Sequence, residues 1–148
     1  MYRIIPSFSV LIFSLLFIVS VNAEEKLGCS LCGKPVTESS NRFVINDPEE
    51  GELVLGCPGC GLAVLAKMPS EQYSSASVQD FLRRTMIDAQ SAWYLRGTEI
   101  GFCCSPYWLA FGSREEAEKF AKGFGGEVLD FESAIKLAPE DHDHQHVH

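Results

Sequence analysis

Glu52-Leu-Val-Leu-Gly-Cys-Pro-Gly-Cys60 and Glu99-Ile-Gly-Phe-Cys-Cys-Ser-Pro106 are two versions of one phrase. Each sets an acidic residue before an apolar, β-rich run, follows it with cysteines and a proline corner, and precedes a helix signal. The echo predicts that one strand-strand-helix-strand unit occurs twice. The expected fold is therefore α+β, two small units packed together over about residues 29–70 and 78–137. Two copies are too few for a solenoid.

Around these phrases the chain divides readily. Residues 42–46 and 52–55 are short β-rich runs joined by Asp47-Pro-Glu-Glu-Gly51, whose residue types suit a tight reversal, so a hairpin is expected. Residues 61–68, apolar and rich in Ala and Leu, read as a short helix ended by Pro69. Residues 71–77 read as a polar loop, 78–89 and 91–96 as two extended segments, and 100–103 and 108–111 as strand ends about the Cys103-Cys104-Ser105-Pro106 corner. The best helix signal follows. Ser113 and Glu116 form a capping box, Ala117, Phe120, Ala121 and Phe124 share one face, and Gly125-Gly126 ends the helix. Residues 127–131 read as a closing strand.

The N-terminus reads as a signal peptide. Arg3 precedes an apolar run to Val21, and Val21-Asn22-Ala23 matches a small-residue cleavage site, so the mature chain is expected to begin at Glu24 in the periplasm or cell envelope. An uncleaved leader is the one expected route to membrane anchoring. Pro6 and four serines interrupt the leader, and Lys26 three residues before Cys29 does not suit lipidation. The net charge is −8, and since residues 1–23 carry Arg3 and no acidic residue, cleavage takes it to −9. That balance opposes nucleic acid or anionic lipid as partner and favours cations.

Six cysteines carry the chemistry: Cys29, Cys32, Cys57, Cys60, Cys103 and Cys104. Cys29-x-x-Cys32 and Cys57-x-x-Cys60, with 24 residues between them, have the spacing of a four-thiolate site, because each turn aims two sulfurs at one point. Structural Zn(II) satisfies that pattern as well as a transported ion does. Disulfide pairing is open in an oxidising compartment. Thiol-disulfide exchange at Cys57-Pro58-Gly59-Cys60 is open too, although the alternating strand-helix pattern of a thioredoxin is missing. For Cys103-Cys104, neighbouring extended positions point apart, so one of the two is expected to face a site. Vicinal thiolates suit a soft, low-coordinate ion, with Cu(I) preferred to harder ions.

All four histidines, His142, His144, His146 and His148, alternate with other residues in 138–148, which reads as a flexible metal-collecting tail. With histidine confined to the tail, no folded Cys-His or Ser-His pair is expected, and the chain does not read as an enzyme. Asp80 and Asp88 beside Arg83 and Arg84 read as surface charge.

Met86-Ile-Asp-Ala-Gln-Ser-Ala-Trp-Tyr94, Ser105-Pro106 through Phe111, Ser113-Arg-Glu-Glu-Ala-Glu-Lys-Phe-Ala121 and Gly125-Gly-Glu-Val-Leu129 together resemble the NosL family, exported copper-binding accessory proteins of nitrous oxide reductase maturation. Cys29-x-x-Cys32-Gly33 resembles that family's N-terminal cysteine motif. The likeness implies a NosL-like domain over residues 24–137, a fold similar to part of organomercurial lyases, and a metallochaperone that passes Cu(I) to a recipient cuproprotein. With the cysteine pattern, the expected foremost ligands are Cys29, Cys32, Cys103 and Cys104, with Cys57 and Cys60 next. Family members carry methionine where this chain has Lys34, and again near the Ser-Pro corner, where it has Cys103 and Cys104. Thiolate in place of thioether implies a tighter hold on metal.

Overall fold

The computed structural model describes residues 27–143. The histidines at 144, 146 and 148 and the leader at 1–23 lie outside the described residues.

The first unit is built on the expected hairpin. Strands β1 (Phe43–Asp47) and β2 (Gly51–Leu55) pair antiparallel, with Phe43 opposite Leu55 and Asp47 opposite Gly51. Asp47 Oδ1 accepts from the backbone N–H groups of Glu49 and Glu50 at 2.8 and 3.0 Å, which fixes the reversal. Helix α1 (Pro58–Leu65) follows, then β3 (Ser75–Gln79) and β4 (Met86–Asp88), and the sheet order is β2-β1-β3-β4, antiparallel throughout.

The second unit repeats the plan. Strands β5 (Trp93–Arg96) and β6 (Trp108–Phe111), helix α2 (Arg114–Phe124) and β7 (Glu127–Leu129) form a sheet of order β6-β5-β7. In both sheets the first strand of the unit lies between its second and third. The strand-strand-helix-strand repeat is therefore real, but the boundary between units lies between β4 and β5 rather than near residue 70. The missed signal is local. Asp80 Oδ1 accepts from Leu82 and Arg83 N–H, both at 2.8 Å, and Arg84 takes a positive φ of 61°, so residues 78–89 fold into a hairpin instead of one extended segment.

Four further corrections follow from capping and packing. Helix α1 begins at Pro58, three residues before the expected start, because proline suits the first helical position and Cys57 is the N-cap. Residues 100–103 are irregular rather than strand. Residues 138–143, read as flexible tail, belong to α3 (Phe131–Asp143). Its start is set by Asp130 Oδ1, which accepts from Ser133 N–H at 2.9 Å, and Ala134, Ala138 and His142, spaced four apart, are buried. Phe131, expected to close the last strand, opens this helix.

The units share one core. Phe43, Ile45, Leu55 and Val78 from the first meet Tyr94, Trp108 and Ala110 from the second and Ala134 and Ala138 of α3. Helix α1 lies among β1, β6 and α3. That close approach needs glycine: a Cβ at Gly61 would stand 2.0 Å from the Phe43 ring and one at Gly59 2.6 Å from Trp108. A smaller cluster, Leu95, Leu109, Phe111 and Ala117 with Phe81 and Phe120 against it, fixes α2. Polar bridges join the units. Buried Asn41 donates to Gln79 O and accepts from Ala110 N–H, and Asp80 Oδ2 accepts from Gly112 N–H at 2.7 Å. Asp80, read as surface charge, is fully buried as a result.

Among the described residues, no helix is long and apolar enough to cross a membrane.

Candidate metal centre

Three backbone segments bring the sulfurs to one end of α1, and a fourth brings an imidazole. Residues 29–34 form the knuckle: Cys29 N–H donates to Lys34 O at 2.8 Å, Gly33 N–H donates to Cys29 O at 2.9 Å, and Gly33 has the positive φ of 69° that closes the turn. Ser30 N–H donates to Val54 O at 3.1 Å, which docks the knuckle on β2. Cys57 caps α1 and Cys60 sits in its first turn. The irregular segment before the cis Ser105-Pro106 bond supplies Cys103 and Cys104, and Lys34 Nζ donates to Cys103 O at 2.7 Å, tying that segment to the knuckle. The last turn of α3 supplies His142.

The sulfurs of Cys32, Cys60, Cys103 and Cys104 all lie within 4.8 Å of one another. Cys32 and Cys103 are 3.5 Å apart, Cys103 and Cys104 3.4 Å, and Cys60 stands 3.9 Å from Cys32 and 4.0 Å from each of Cys103 and Cys104. Ligands of a tetrahedral ion with sulfur bonds of about 2.3 Å are separated by about 3.8 Å, so this spacing suits one cation bound to four thiolates. All six cysteines are free thiols, and the vicinal sulfurs of Cys103 and Cys104, 3.4 Å apart, are far beyond a disulfide bond of about 2.05 Å.

The expected grouping differs from this one. Each Cys-x-x-Cys turn contributes only its second cysteine to the foursome, and the vicinal pair completes it. Cys60 takes the place expected for Cys29. Cys29 and Cys57 are buried beside the four, Cys57 with its sulfur 3.5 Å from that of Cys60. Both vicinal sulfurs face the site, contrary to the expectation for neighbouring extended residues, because the chain there is bent. A folded Cys-His pair also exists where none was expected: His142 Nε2 lies 3.2 Å from Cys60 Sγ, with the imidazole 6% exposed and its Nδ1 without a hydrogen-bond partner. Spacing of buried Ala134, Ala138 and His142 was the signal that places this histidine in the fold.

The thiols share protons unequally. Cys29 is pulled down to about 4, chiefly by the Cys60 thiol and then by the backbone amides of Cys32, Gly56 and Leu31, against the opposing effect of burial. Burial pushes Cys32 up to about 12. Cys60 and Cys103 are raised, foremost by Cys103 and Cys104 respectively, while Cys104 is lowered, foremost by its contact with Cys103. Charge thus gathers on some sulfurs while neighbours keep protons, and a soft cation that replaces those protons relieves the crowding. Cys60 and Cys104 are buried, whereas Cys32 and Cys103 are half-buried and form the reachable side.

Residues 63–137 match the family model for NosL. The chain belongs to the NosL family. The match covers Cys103 and Cys104 and starts after the four N-terminal cysteines. The crystal structure of the copper chaperone NosL from Shewanella denitrificans is similar in fold, with a TM-score of 0.65 at 20% identity, over 72% of this chain and 87% of that one. The HTH-type transcriptional repressor CutR of Bacillus subtilis (strain 168) is 34% identical over 109 residues. Those residues are 73% of this chain, and they span 56% of the length of CutR. The chain is thus a NosL-family α+β protein with a cysteine-based potential metal-binding site.

Proposed function

We propose that this NosL-family protein is an exported metallochaperone that holds Cu(I) among Cys32, Cys60, Cys103 and Cys104 and passes it to a recipient cuproprotein. The observation carrying the reading is the convergence of four sulfurs, from three separate stretches of chain, within 4.8 Å. Softness selects the ion: thiolates favour Cu(I), which accepts two or three of them. His142 adds an imidazole on the buried side of Cys60. Transfer runs by stepwise exchange, in which a thiolate of the recipient bonds the ion from the side of Cys32 and Cys103 while the buried Cys60 and Cys104 release it last. No transition state needs a general base in such an exchange. Domain limits of 24–137, removal of the leader after Ala23 and ion collection by the tail histidines belong to the same proposal.

Structural zinc is a second reading, favoured by five of the six sulfur separations lying between 3.4 and 4.0 Å, which bracket those of a tetrahedral Zn(II) site. One experiment separates the two. Protein purified without oxygen is expected to win Cu(I) from a chromophoric chelator, with Cys103→Ser and Cys60→Ser losing that ability. One tightly held zinc per chain that resists chelators, with no uptake of Cu(I), overturns the chaperone reading. Mass spectrometry of exported protein reads the mature N-terminus, and a chain that retains residues 1–23 overturns cleavage.

A further inference from the structure

The four-sulfur group does not use up the thiols at this end of the molecule. Cys57 Sγ lies 3.5 Å from Cys60 Sγ, and Cys29 is buried in the same core cluster. A Cβ at Gly56 would stand 3.6 Å from Cys29 Cβ and 3.8 Å from Cys103 Sγ, so Cys29 and Cys103 flank one glycine backbone. Cys60 is the hub. Its sulfur lies within 4.0 Å of those of Cys32, Cys57, Cys103 and Cys104, and it takes the His142 imidazole at 3.2 Å. A sulfur so surrounded is placed to bridge ions rather than to end on one.

Coordination number and charge point the same way. A single Cu(I) takes two or three thiolates, which leaves half or more of the six sulfurs unused. One monovalent ion also neutralises only one of the charges that six thiolates would carry, and the Lys34 ammonium beside the site is engaged with Cys103 O. Buried charge of that size requires more cations or retained protons.

Resting on the Cu(I) reading above, we propose that the site holds a polynuclear copper–thiolate cluster, in which all six cysteine sulfurs bridge or bind more than one Cu(I) ion. Each entering Cu(I) forms bonds to thiolate sulfur, and the protons of those thiols leave to solvent; copper stays monovalent and sulfur stays reduced, so no oxidant is consumed. If every sulfur bridges two ions and every ion takes three sulfurs, full occupancy is about four ions. The protein would then carry a reserve of copper rather than one ion per delivery.

The test is anaerobic titration of the whole protein with Cu(I) against a competing chelator, with X-ray absorption on the loaded sample. Uptake of more than one ion per chain with a short copper–copper scattering path is the expected result. The Cys29→Ser, Cys57→Ser double variant, shown by circular dichroism and melting to fold, is expected to keep the first ion within about threefold of wild-type affinity and to lose the others. Saturation of wild type at one ion overturns the cluster and leaves the chaperone reading standing, whereas no uptake at all removes both. Extra ions without a copper–copper path, as the tail histidines would bind them, overturn the cluster, and so does a double variant that fills to the wild-type level. If the double variant fails to fold, Cys29→Ala and Cys57→Ala taken singly give the same readout.

Discussion

Arg96 Nε donates to Asp141 Oδ2 at 2.8 Å, and this ion pair, completed by a second guanidinium contact to Oδ1, anchors the residue immediately before His142. Trp108 Nε1 donates to the same Oδ2 at 3.0 Å. Two residues of the second sheet thereby hold the last turn of α3 against α1, where the imidazole meets Cys60. Removal of the carboxylate in Asp141→Ala leaves a partly buried guanidinium and an indole N–H without their acceptor, at a cost of about 2 kcal/mol. Urea unfolding is expected to report that loss, and metal affinity is expected to fall with it because His142 is no longer held. Wild-type stability in the variant would dissociate the ion pair from the site.

His142→Ala tests the imidazole itself. The ring reaches Cys60 from the buried side, so its loss is expected to weaken Cu(I) binding by on the order of tenfold to a hundredfold while the fold persists. Chelator competition reads the change. His144→Ala, in the tail, is expected to leave the tightest ion unaffected, and equal effects at the two positions would contradict a special role for His142.

Glycine at 61 and glycine at 123 are expected to respond oppositely to alanine. At Gly61 the new Cβ would lie 2.0 Å from the buried Phe43 ring, and overpacking of about 3 kcal/mol or more follows because neither backbone has room to move. At Gly123 a Cβ meets nothing within 4 Å, and alanine in α2 stabilises by up to about 1 kcal/mol. Thermal melts of Gly61→Ala and Gly123→Ala measure both signs.

Asp80 ties the two sheets from within. Its carboxylate accepts three backbone N–H groups, those of Leu82, Arg83 and Gly112, at 2.8, 2.8 and 2.7 Å. Asp80→Ala orphans them, at a cost of about 3 kcal/mol. Asp88→Ala is the control, since its side chain accepts only an exposed amide, that of Ser91, among the hydrogen bonds of the described residues. Similar losses at both positions, measured by chemical unfolding, would return Asp80 to the class of surface charges.

Tyr94 makes stability depend on pH at the alkaline end. Its hydroxyl, fully buried, donates to Ala89 O at 2.7 Å, and burial, with the Asp88 carboxylate adding, pushes its ionisation well above the ordinary range. The unfolded chain ionises this group near pH 10, whereas the folded chain keeps it protonated. The stabilisation is therefore complete below pH 10 and is lost as pH rises further. Melting temperature is expected to fall above pH 10 in wild type and less steeply in Tyr94→Phe, which starts lower by the missing hydrogen bond. Parallel curves for the two proteins would assign the alkaline loss to other groups.

The repeat, the first hairpin and α2 were legible because their signals are local. Asp47 to Gly51 determines a reversal, and Ser113 with Glu116 and Gly125 marks both ends of a helix, whatever lies across from them. The hairpin at Asp80 is not legible by periodicity, since a buried carboxylate carries it, and the helical spacing of Ala134, Ala138 and His142 is masked by the alternating acidic and histidine residues around position 142. What Asp80 and Asp130 cap depends on side-chain direction, which a string of residue types does not contain.

The sequence by itself determined the family, the doubled strand-strand-helix-strand plan and the set of sulfurs available for a soft ion, because repeats, caps and cysteine spacing are properties of neighbours along the chain. Only the tertiary structure decided which sulfurs form the foursome, Cys32, Cys60 and both members of the vicinal pair with Cys29 and Cys57 beside them, and that His142, 82 residues after Cys60, reaches it. Those side chains come from segments far apart in sequence, and their meeting point is set by packing of α1 on Phe43 and Trp108 and of α3 on Arg96. Contacts of that kind arise from the shared core of both units, which no single stretch of residues encodes.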